Sequence, residues 1–349
     1  MTCEVTYGER DFALNLEQTS PLVCSGSCHQ EIKAREYGAT MSHTAGKPSH
    51  AQTMSPLPLL APLARRVELP RHKLTLFLYD TRPAARDDVP LLLVHGLGDE
   101  ADTWRQVLPS LTVKRRVLAV DLPGFGRSDK PDAPYTVPWF AAVLCELLDT
   151  LQIEEVALAG HSLGAITCHW LALQHTPRVE RLALLAGGLV AAPRKLDWNT
   201  LLLLTPGVGE WLYTRLRHDP QAAYASLRPF YGDIDALPQA ERDFLFQRVN
   251  ERLWNDDQRR AFFRTLRGLA RWLPAQQKTV AHRLAGFTTP TIVLWGEQDR
   301  IANVANGRLL ATLQPAARLT VLAGAGHNLH QEQSAAVAQA LADFFTLPA

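Results

Sequence analysis

The chain has 349 residues, with 36 Lys and Arg against 35 Asp and Glu, so its formal net charge is +1. A chain this close to neutral lacks the basic field that attracts nucleic acids or anionic membranes, and we expect neither as a partner. Hydrophobic residues make up 46% and charged residues 20%, which is typical of globular proteins. No apolar run approaches the ~18 residues that a membrane-spanning helix requires.

The first 64 residues mix Ser, Thr, Gly, Pro and His without sustained hydrophobic periodicity, and we expect residues 1–64 to form a disordered extension. The chain also lacks the apolar segment of a signal peptide near its N-terminus. Its cysteines are few and odd in number, which favours a reducing compartment, and no second spaced pair completes a tetrahedral metal site. They are Cys3, Cys24, Cys28, Cys145 and Cys168. We therefore expect a cytoplasmic protein without metal or cofactor.

Short apolar runs alternate with helical patterns from about residue 65 onward. Continuous apolar runs predict strands that are buried on both faces. The predicted strands are Leu74–Tyr79, Leu91–Val94, Val117–Val120, Val156–Ala159, Leu182–Leu185, Thr291–Trp295 and Leu319–Leu322. Helical spacing between Thr136 and Leu151, with Thr136 as N-cap and Pro138 in the first turn, predicts a crossover helix. The fold class is therefore α/β, with a mostly parallel, doubly wound sheet.

The alternation stops between residues 188 and 285, where helical patterns replace strands. Asp219 and Asn255 are predicted to begin helices, because each is a cap residue followed by Pro or acidic residues. The segment is rich in aromatic residues, which predicts either a lid over an apolar pocket or rings that pack the insert onto the sheet. The predicted domains are thus a core at 65–187 and 286–349 with a helical cap at 188–285.

The sequence Gly160-His161-Ser162-Leu163-Gly164 directly follows one predicted strand and precedes a helical segment. A serine at such a turn is held in a strained conformation that lifts its hydroxyl above the sheet edge, and the flanking glycines leave room for the bend. This context makes Ser162 the candidate nucleophile.

A serine hydroxyl needs a histidine to accept its proton and a carboxylate to orient that histidine. In this architecture both follow the serine along the chain, and the last two predicted strands lead into loops that contain Asp299 and His327. Glu297 and His330 compete for the two roles, but the loop glycines favour Asp299 and His327. Residues 186–196 contain no carboxylate, which removes the other usual position of the acid.

Acyl transfer also needs N–H donors for the developing oxyanion. The backbone N–H of Leu163 follows the nucleophile, and that of Leu97 lies in the glycine-flanked loop after an early strand, so we assign these two to the oxyanion hole. His95, in the same loop, is interpreted as structural, because a base so early would break the expected order of Ser, Asp and His.

With these motifs the sequence resembles the α/β-hydrolase fold superfamily, with a helical cap inserted before the strand that carries the acid. The resemblance covers residues 66–349. It is carried by His95-Gly96-Leu97-Gly98 with Trp104, Asp121-Leu122-Pro123-Gly124-Phe125-Gly126-Arg127-Ser128, the motif at Ser162, Trp295-Gly296-Glu297-Gln298-Asp299-Arg300, and Gly326-His327. The charged residues near Asp121 are expected to order the loop beside the pocket.

The resemblance also separates the activities within the superfamily. Relatives similar to epoxide hydrolases and haloalkane dehalogenases carry Asp where this chain has Ser162, so their alkyl-enzyme chemistry is disfavoured. Hydrolases that cleave carbon–carbon bonds in ring-fission products commonly show His-Gly-x-Gly-Pro-Gly, whereas Asp99 follows Gly98 here. Perhydrolase-like and acyltransferase-like relatives keep the same three residues.

These observations predict a metal-independent serine hydrolase whose partner is a small-molecule carboxylic ester with an apolar portion. The alternatives are a carbon–carbon bond hydrolase of ring-fission products and a ligand receptor that retains the three residues.

Four arginines at helical spacing in the cap are expected to form a solvated outer face rather than a site for an acidic ligand. They are Arg260, Arg264, Arg267 and Arg271.

Overall fold

The computed structural model describes residues 54–82, 89–112, 115–192 and 198–346. These residues form one eight-stranded sheet in the order β1-β2-β4-β3-β5-β6-β7-β8. The strands are β1 (Ala64–Leu69), β2 (Leu74–Asp80), β3 (Leu91–Val94), β4 (Val117–Val120), β5 (Val156–His161), β6 (Val179–Leu185), β7 (Thr291–Gly296) and β8 (Ala317–Leu322). β2 pairs antiparallel with β1 and β4, and all other pairs are parallel. The predicted mostly parallel sheet is confirmed.

Eleven α-helices accompany the sheet within the described residues. They are α1 (Leu108–Leu111), α2 (Val137–Thr150), α3 (Leu163–Gln174), α4 (Trp198–Leu204), α5 (Val208–Arg215), α6 (Pro220–Ala225), α7 (Gln239–Leu253), α8 (Asp256–Ala285), α9 (Ala305–Leu313), α10 (Leu329–Glu332) and α11 (Ser334–Thr346). Helices α4–α8 lie between β6 and β7 and form the helical insert. In the described part of the chain no helix is both long enough and apolar enough to cross a membrane.

The predicted helix caps are present. The side chains of Thr136, Asp219 and Asn255 each accept a hydrogen bond from a backbone N–H in the first turn of α2, α6 and α8. A cap of this kind supplies an acceptor for one of the N–H groups that a helix start leaves unpaired.

The central strands are apolar on both faces because helices cover both faces. Along β3, Leu92 and Val94 belong to the core cluster that includes residues of α2 and α3. Leu91 and Leu93 belong to the cluster that includes residues of α1 and α11. Side chains alternate between the two faces of a strand, so a strand buried on both sides appears in the sequence as a continuous apolar run.

The expected N-terminal extension differs from the structure in its last residues. Leu60 is buried, and the backbone N–H of Leu57 donates a hydrogen bond to the Tyr79 hydroxyl at 3.2 Å. Leu60 belongs to the second core cluster, and Leu57 and Leu63 pack against it, so residues 54–64 belong to the folded part. Residues 1–53, with Cys3, Cys24 and Cys28, lie outside the described residues. Cys145 and Cys168 lie in α2 and α3 as free thiols.

Candidate active site

Ser162 occupies the turn between the end of β5 and the start of α3. Its backbone has φ 52° and ψ −115°, a conformation that costs a residue with a side chain about 1–3 kcal/mol. Its N–H donates to the Leu185 carbonyl at 2.9 Å, and its carbonyl accepts from the Ile166 N–H at 3.0 Å. The sheet and the helix thus hold the turn from both sides.

The two glycines of the motif allow the turn to pack closely. A Cβ atom on Gly164 would lie 2.2 Å from the Val94 carbonyl oxygen, and one on Gly160 would lie 2.4 Å from the Gly164 carbonyl. Both distances are far shorter than non-bonded contacts. Only glycine therefore lets α3 begin directly against the end of β3.

His327 and Asp299 lie beside Ser162. The His327 Nε2 atom is 2.9 Å from the Ser162 Oγ atom, and His327 Nδ1 is 2.8 Å from Asp299 Oδ2. The other oxygen of Asp299 accepts hydrogen bonds from the N–H groups of Ile301 and Ala302, which fixes the carboxylate. The structure therefore brings together the three side chains that were predicted to form the site.

The two competing residues lie elsewhere. His330 Nε2 is 2.7 Å from the Thr103 hydroxyl oxygen, and Glu297 accepts a hydrogen bond from the Gly324 N–H. Since His327 occupies the position beside the Ser162 hydroxyl, neither competitor is placed to accept its proton or to orient its base.

The two residues predicted to supply the oxyanion donors lie next to the nucleophile in the chain or in the adjoining loop. A Cβ atom on Gly96 would be 3.3 Å from the Ser162 Cβ atom, so the loop that contains Leu97 packs directly against the serine. Leu163 is the first residue of α3, and a helix start leaves its N–H groups without intrahelical partners. Among the described residues, neither amide has a hydrogen-bond partner. Both N–H groups are thus free to bind a ligand atom.

His161 supports the loop of His327, a role that the sequence analysis missed. Its Nε2–H donates to the His327 backbone carbonyl at 3.0 Å, and its ring lies 4.9 Å from the His327 ring and 4.4 Å from the His330 ring. Burial lowers the pKa of His161 to about 3, so this histidine is neutral. In the sequence, the only indication of this supporting role is the position of His161 next to Ser162.

The structural interpretation of His95 is confirmed. Its Nε2 atom accepts a hydrogen bond from the Leu122 N–H at 2.8 Å, and its Nδ1–H donates to the Gly96 carbonyl at 2.7 Å. The ring is fully buried and burial lowers its pKa. His95 therefore joins the loop after β3 to the loop after β4.

Four buried histidines give the fold a defined pH dependence. Burial lowers the pKa of His95, His161, His169 and His330 below the ordinary value of 6.5, to about 3 for His161 and His169. Each therefore binds more protons in the unfolded chain than in the folded one. Their contribution to stability is complete above about pH 6.5 and is lost as the pH falls through each folded-state pKa, which is about 3 for His161 and His169.

His169 allows this contribution to be measured, because it lies on α3 away from the Ser162 hydroxyl. We expect the free energy of unfolding of the His169→Gln variant to fall less steeply below pH ~6 than that of the wild type, by up to about 1.4 kcal/mol per pH unit. Urea unfolding at a series of pH values provides the measurement. Equal slopes for the two proteins would contradict the assignment.

A buried ionic network surrounds the loops after β3 and β4. Asp121 accepts four hydrogen bonds, from the Ala101 N–H and from the backbone and guanidinium of Arg127. Arg127 also donates to Asp102 at 3.0 Å and to the Tyr79 hydroxyl at 2.7 Å. These contacts lie within the fold and hold its loops, so the structural interpretation of the charges near Asp121 is confirmed.

The same network ties α7 to the loop after β3. Arg248 donates to Asp102 at 2.7 Å. Arg252 donates to Glu100 at 2.8 and 2.7 Å and to Asp99 at 2.5 Å. Three carboxylates of one loop thus bind two arginines of one helix of the insert. Sequence reasoning did not identify these arginines, because about 150 residues separate the partners and no local pattern marks them.

Aromatic side chains of the insert reach the site. The Phe230 ring lies 6.0 Å from the His327 ring, and a Cβ atom on Gly98 would lie 3.1 Å from the Phe262 ring. Phe262 also packs against Tyr213 and Phe263, with ring centroids 5.7 and 5.2 Å apart. The insert therefore provides both apolar contacts at the site and internal packing, so neither predicted role alone describes its aromatic residues.

The four arginines of α8 do not all form a solvated face. Arg260 and Arg264 pair with Asp257 and Asp132, whereas Arg267 pairs with Glu210 of α5 and donates to the Leu204 carbonyl. The expectation is therefore wrong for Arg267. Helical spacing predicts which residues share a face, but it does not reveal that another helix packs against part of that face.

Comparison with known proteins finds a matching family model and similar hydrolases. The family model described as alpha/beta hydrolase fold matches residues 89–333. A 2-hydroxymuconate semialdehyde hydrolase of Pseudomonas sp. (strain CF600) is 28% identical over 265 residues, which cover 73% of this chain and 86% of the relative.

In the described residues, no group of three or more His, Cys, Asp or Glu side chains is arranged to hold a metal ion.

Solved structures share the fold. A 2-hydroxy-6-oxo-6-phenylhexa-2,4-dienoate hydrolase from Rhodococcus sp. strain RHA1 has a TM-score of 0.67 at 22% identity, over 81% of this chain and 100% of that chain. A membrane phospholipase A, described as a bacterial virulence factor, has a TM-score of 0.64 at 23% identity, over 80% and 84%. The family match spans strands β3–β8 and the turn at Ser162. This chain belongs to the α/β-hydrolase fold family.

Proposed function

We propose that this protein is a serine hydrolase that cleaves carboxylic esters of small to medium apolar substrates through an acyl-enzyme. The observation that carries the proposal is the pair of hydrogen bonds from Ser162 to His327 and from His327 to Asp299, at 2.9 and 2.8 Å. An alcohol, a base and an orienting carboxylate in this sequence form the arrangement that activates a serine.

The steps follow from the positions of these groups. Ser162 Oγ attacks the ester carbonyl carbon while His327 Nε2 accepts the hydroxyl proton, and the carbonyl oxygen becomes an anion held by the N–H groups of Leu97 and Leu163. Asp299 stabilises the imidazolium. The imidazolium then returns the proton to the leaving alkoxide, and water deacylates the enzyme by the same route in reverse.

Carbon–carbon bond hydrolysis of ring-fission products is the competing candidate, and relatives that carry such names support it. Those substrates are carboxylates, so their binding site must compensate a negative charge with cations or N–H donors. Asp99 instead places a negative charge next to the loop of Leu97, and Arg252 is already bound by Asp99 and Glu100. These charges favour an uncharged ester as substrate.

The two candidates make different predictions for turnover. We expect kcat/KM for p-nitrophenyl esters of graded acyl length to exceed that for 2-hydroxy-6-oxo-6-phenylhexa-2,4-dienoate by at least about tenfold, because binding a carboxylate without a cation is costly. Initial rates, monitored by absorbance, measure both reactions. Faster consumption of the dienoate would support the carbon–carbon hydrolase instead.

A fluorophosphonate probe reports independently on the nucleophile. We expect the wild type to be labelled at Ser162, which peptide mass spectrometry identifies. Thermal stabilisation by an ester without labelling or turnover would instead indicate a binding protein that retains the three residues.

A further inference from the structure

The outer face of helices α4 and α5 is apolar and exposed. On α4, Trp198 and Leu201 lie three residues apart with 73% and 40% of their surfaces exposed. On α5, Val208, Trp211 and Leu212 are 36%, 56% and 37% exposed. Spacings of three and four residues place each set on one side of its helix. We call these five residues the hairpin patch.

Helices α4 and α5 form a helical hairpin, and the side of this hairpin opposite the hairpin patch packs against α8. Tyr213 contacts the rings of Phe262 and Phe263 on α8, and a Cβ atom on Gly209 would lie 2.8 Å from the Phe263 ring. Arg267 of α8 donates to the Leu204 carbonyl at the end of α4. The hairpin is therefore anchored to α8, and the hairpin patch is the face left towards solvent.

Among the described residues, the charged side chains beside the hairpin patch include one paired glutamate and two arginines. Between residues 198 and 212 the only charged side chain is Glu210, which Arg267 neutralises with hydrogen bonds of 2.6 and 2.7 Å. Arg215 lies over the Trp211 ring at 4.9 Å. One turn beyond Arg267, Arg271 donates to the Arg267 backbone carbonyl. Within the described residues neither Arg215 nor Arg271 has a carboxylate partner, so the rim of the patch is positive.

An apolar face with tryptophans and a rim of arginines has the chemistry of a helix that lies in a bilayer interface. Tryptophan partitions to the level of the lipid headgroups, and uncompensated arginines are attracted to anionic lipids. A second copy of the chain on this face, related by a two-fold axis, would bring two arginine rims of the same sign together. The charges therefore favour an anionic surface over a second copy.

We propose that the α4–α5 hairpin docks this protein on the surface of an anionic phospholipid bilayer, with Trp198 and Trp211 inserted at the headgroup level. The expectation of no membrane partner relied on the net charge of +1, which averages over the whole chain and conceals a local patch. The docking does not depend on the reaction at Ser162.

Co-sedimentation of the full chain with vesicles tests the proposal. We expect the wild type to bind vesicles made of equal parts phosphatidylcholine and phosphatidylglycerol at low ionic strength, and to bind pure phosphatidylcholine less. The double variant Trp198→Ser with Trp211→Ser should lose at least about tenfold in partition coefficient. Replacing Arg215 and Arg271 by Gln should weaken binding to the anionic vesicles and leave binding to pure phosphatidylcholine unchanged.

Leu59→Ser is the matched control, because Leu59 is 84% exposed and lies outside the hairpin; this variant should bind as the wild type does. Turnover of a soluble ester should be the same for the wild type and the double tryptophan variant, which separates this test from that of the proposed function. The proposal is overturned if the wild type stays in the supernatant or if the double variant binds equally well. A wild-type dimer that the double variant abolishes, without vesicle binding, would assign the patch to a second copy.

Discussion

Replacing Ser162 by alanine is expected to lower kcat for p-nitrophenyl ester hydrolysis by about four powers of ten or more, with a much smaller change in KM. The substitution removes the oxygen that His327 Nε2 contacts at 2.9 Å, so no acyl-enzyme forms. The N–H groups of Leu97 and Leu163 remain, so substrate binding should change little. Steady-state rates over a range of ester concentrations separate the two parameters.

The fold of this variant should be intact, since alanine keeps the Cβ atom and adopts the same backbone torsions as the serine. Thermal unfolding is the check. Ser226→Ala serves as a matched control, because the Ser226 hydroxyl only donates to the Ala223 carbonyl at the end of α6, and its turnover should equal that of the wild type. Residual ester hydrolysis by Ser162→Ala at the wild-type rate would refute Ser162 as the nucleophile.

Replacing Arg127 by methionine is expected to reduce the free energy of unfolding by about 3–5 kcal/mol. The Arg127 side chain is 4% exposed, and the Asp102 and Asp121 side chains beside it are fully buried. Methionine fills a similar volume, but it leaves Asp121 without the charged partner that holds the pKa of this carboxyl below its ordinary value. Urea unfolding followed by circular dichroism measures the loss as a lower midpoint at similar slope.

The exposed pair of Arg228 and Asp235 provides the comparison. Both side chains are 52% exposed, so Arg228→Met should cost less than about 1 kcal/mol. If Arg127→Met were no more destabilising than Arg228→Met, the buried network would not contribute to the stability of the loops after β3 and β4.

The strands that were predicted most accurately are those buried on both faces. β3 and β4 have the predicted bounds, Leu91–Val94 and Val117–Val120, because every residue in them is apolar. β1 was missed, since it is an edge strand with a mostly exposed pattern that includes Arg65 and Arg66. A charged edge strand carries little of the periodicity that identifies a strand from sequence.

The residues of the candidate site were accessible from sequence for a related reason. Ser162, Asp299 and His327 each follow a strand of a parallel sheet, and the carboxyl ends of such strands meet at one edge. The residues of the insert that contact the loop after β3 could not be predicted from the sequence. Arg252 contacts Asp99 only because of the way α7 packs on the core, and that packing depends on contacts spread over the whole fold rather than on any local pattern.

The left-handed backbone of Ser162, with φ at 52°, constrains how this chain can evolve. Glycine alone would relieve the torsional penalty, and glycine carries no hydroxyl group. Selection for a more stable protein cannot recover that energy at this position without abolishing the proposed reaction, so compensating mutations must arise elsewhere in the molecule.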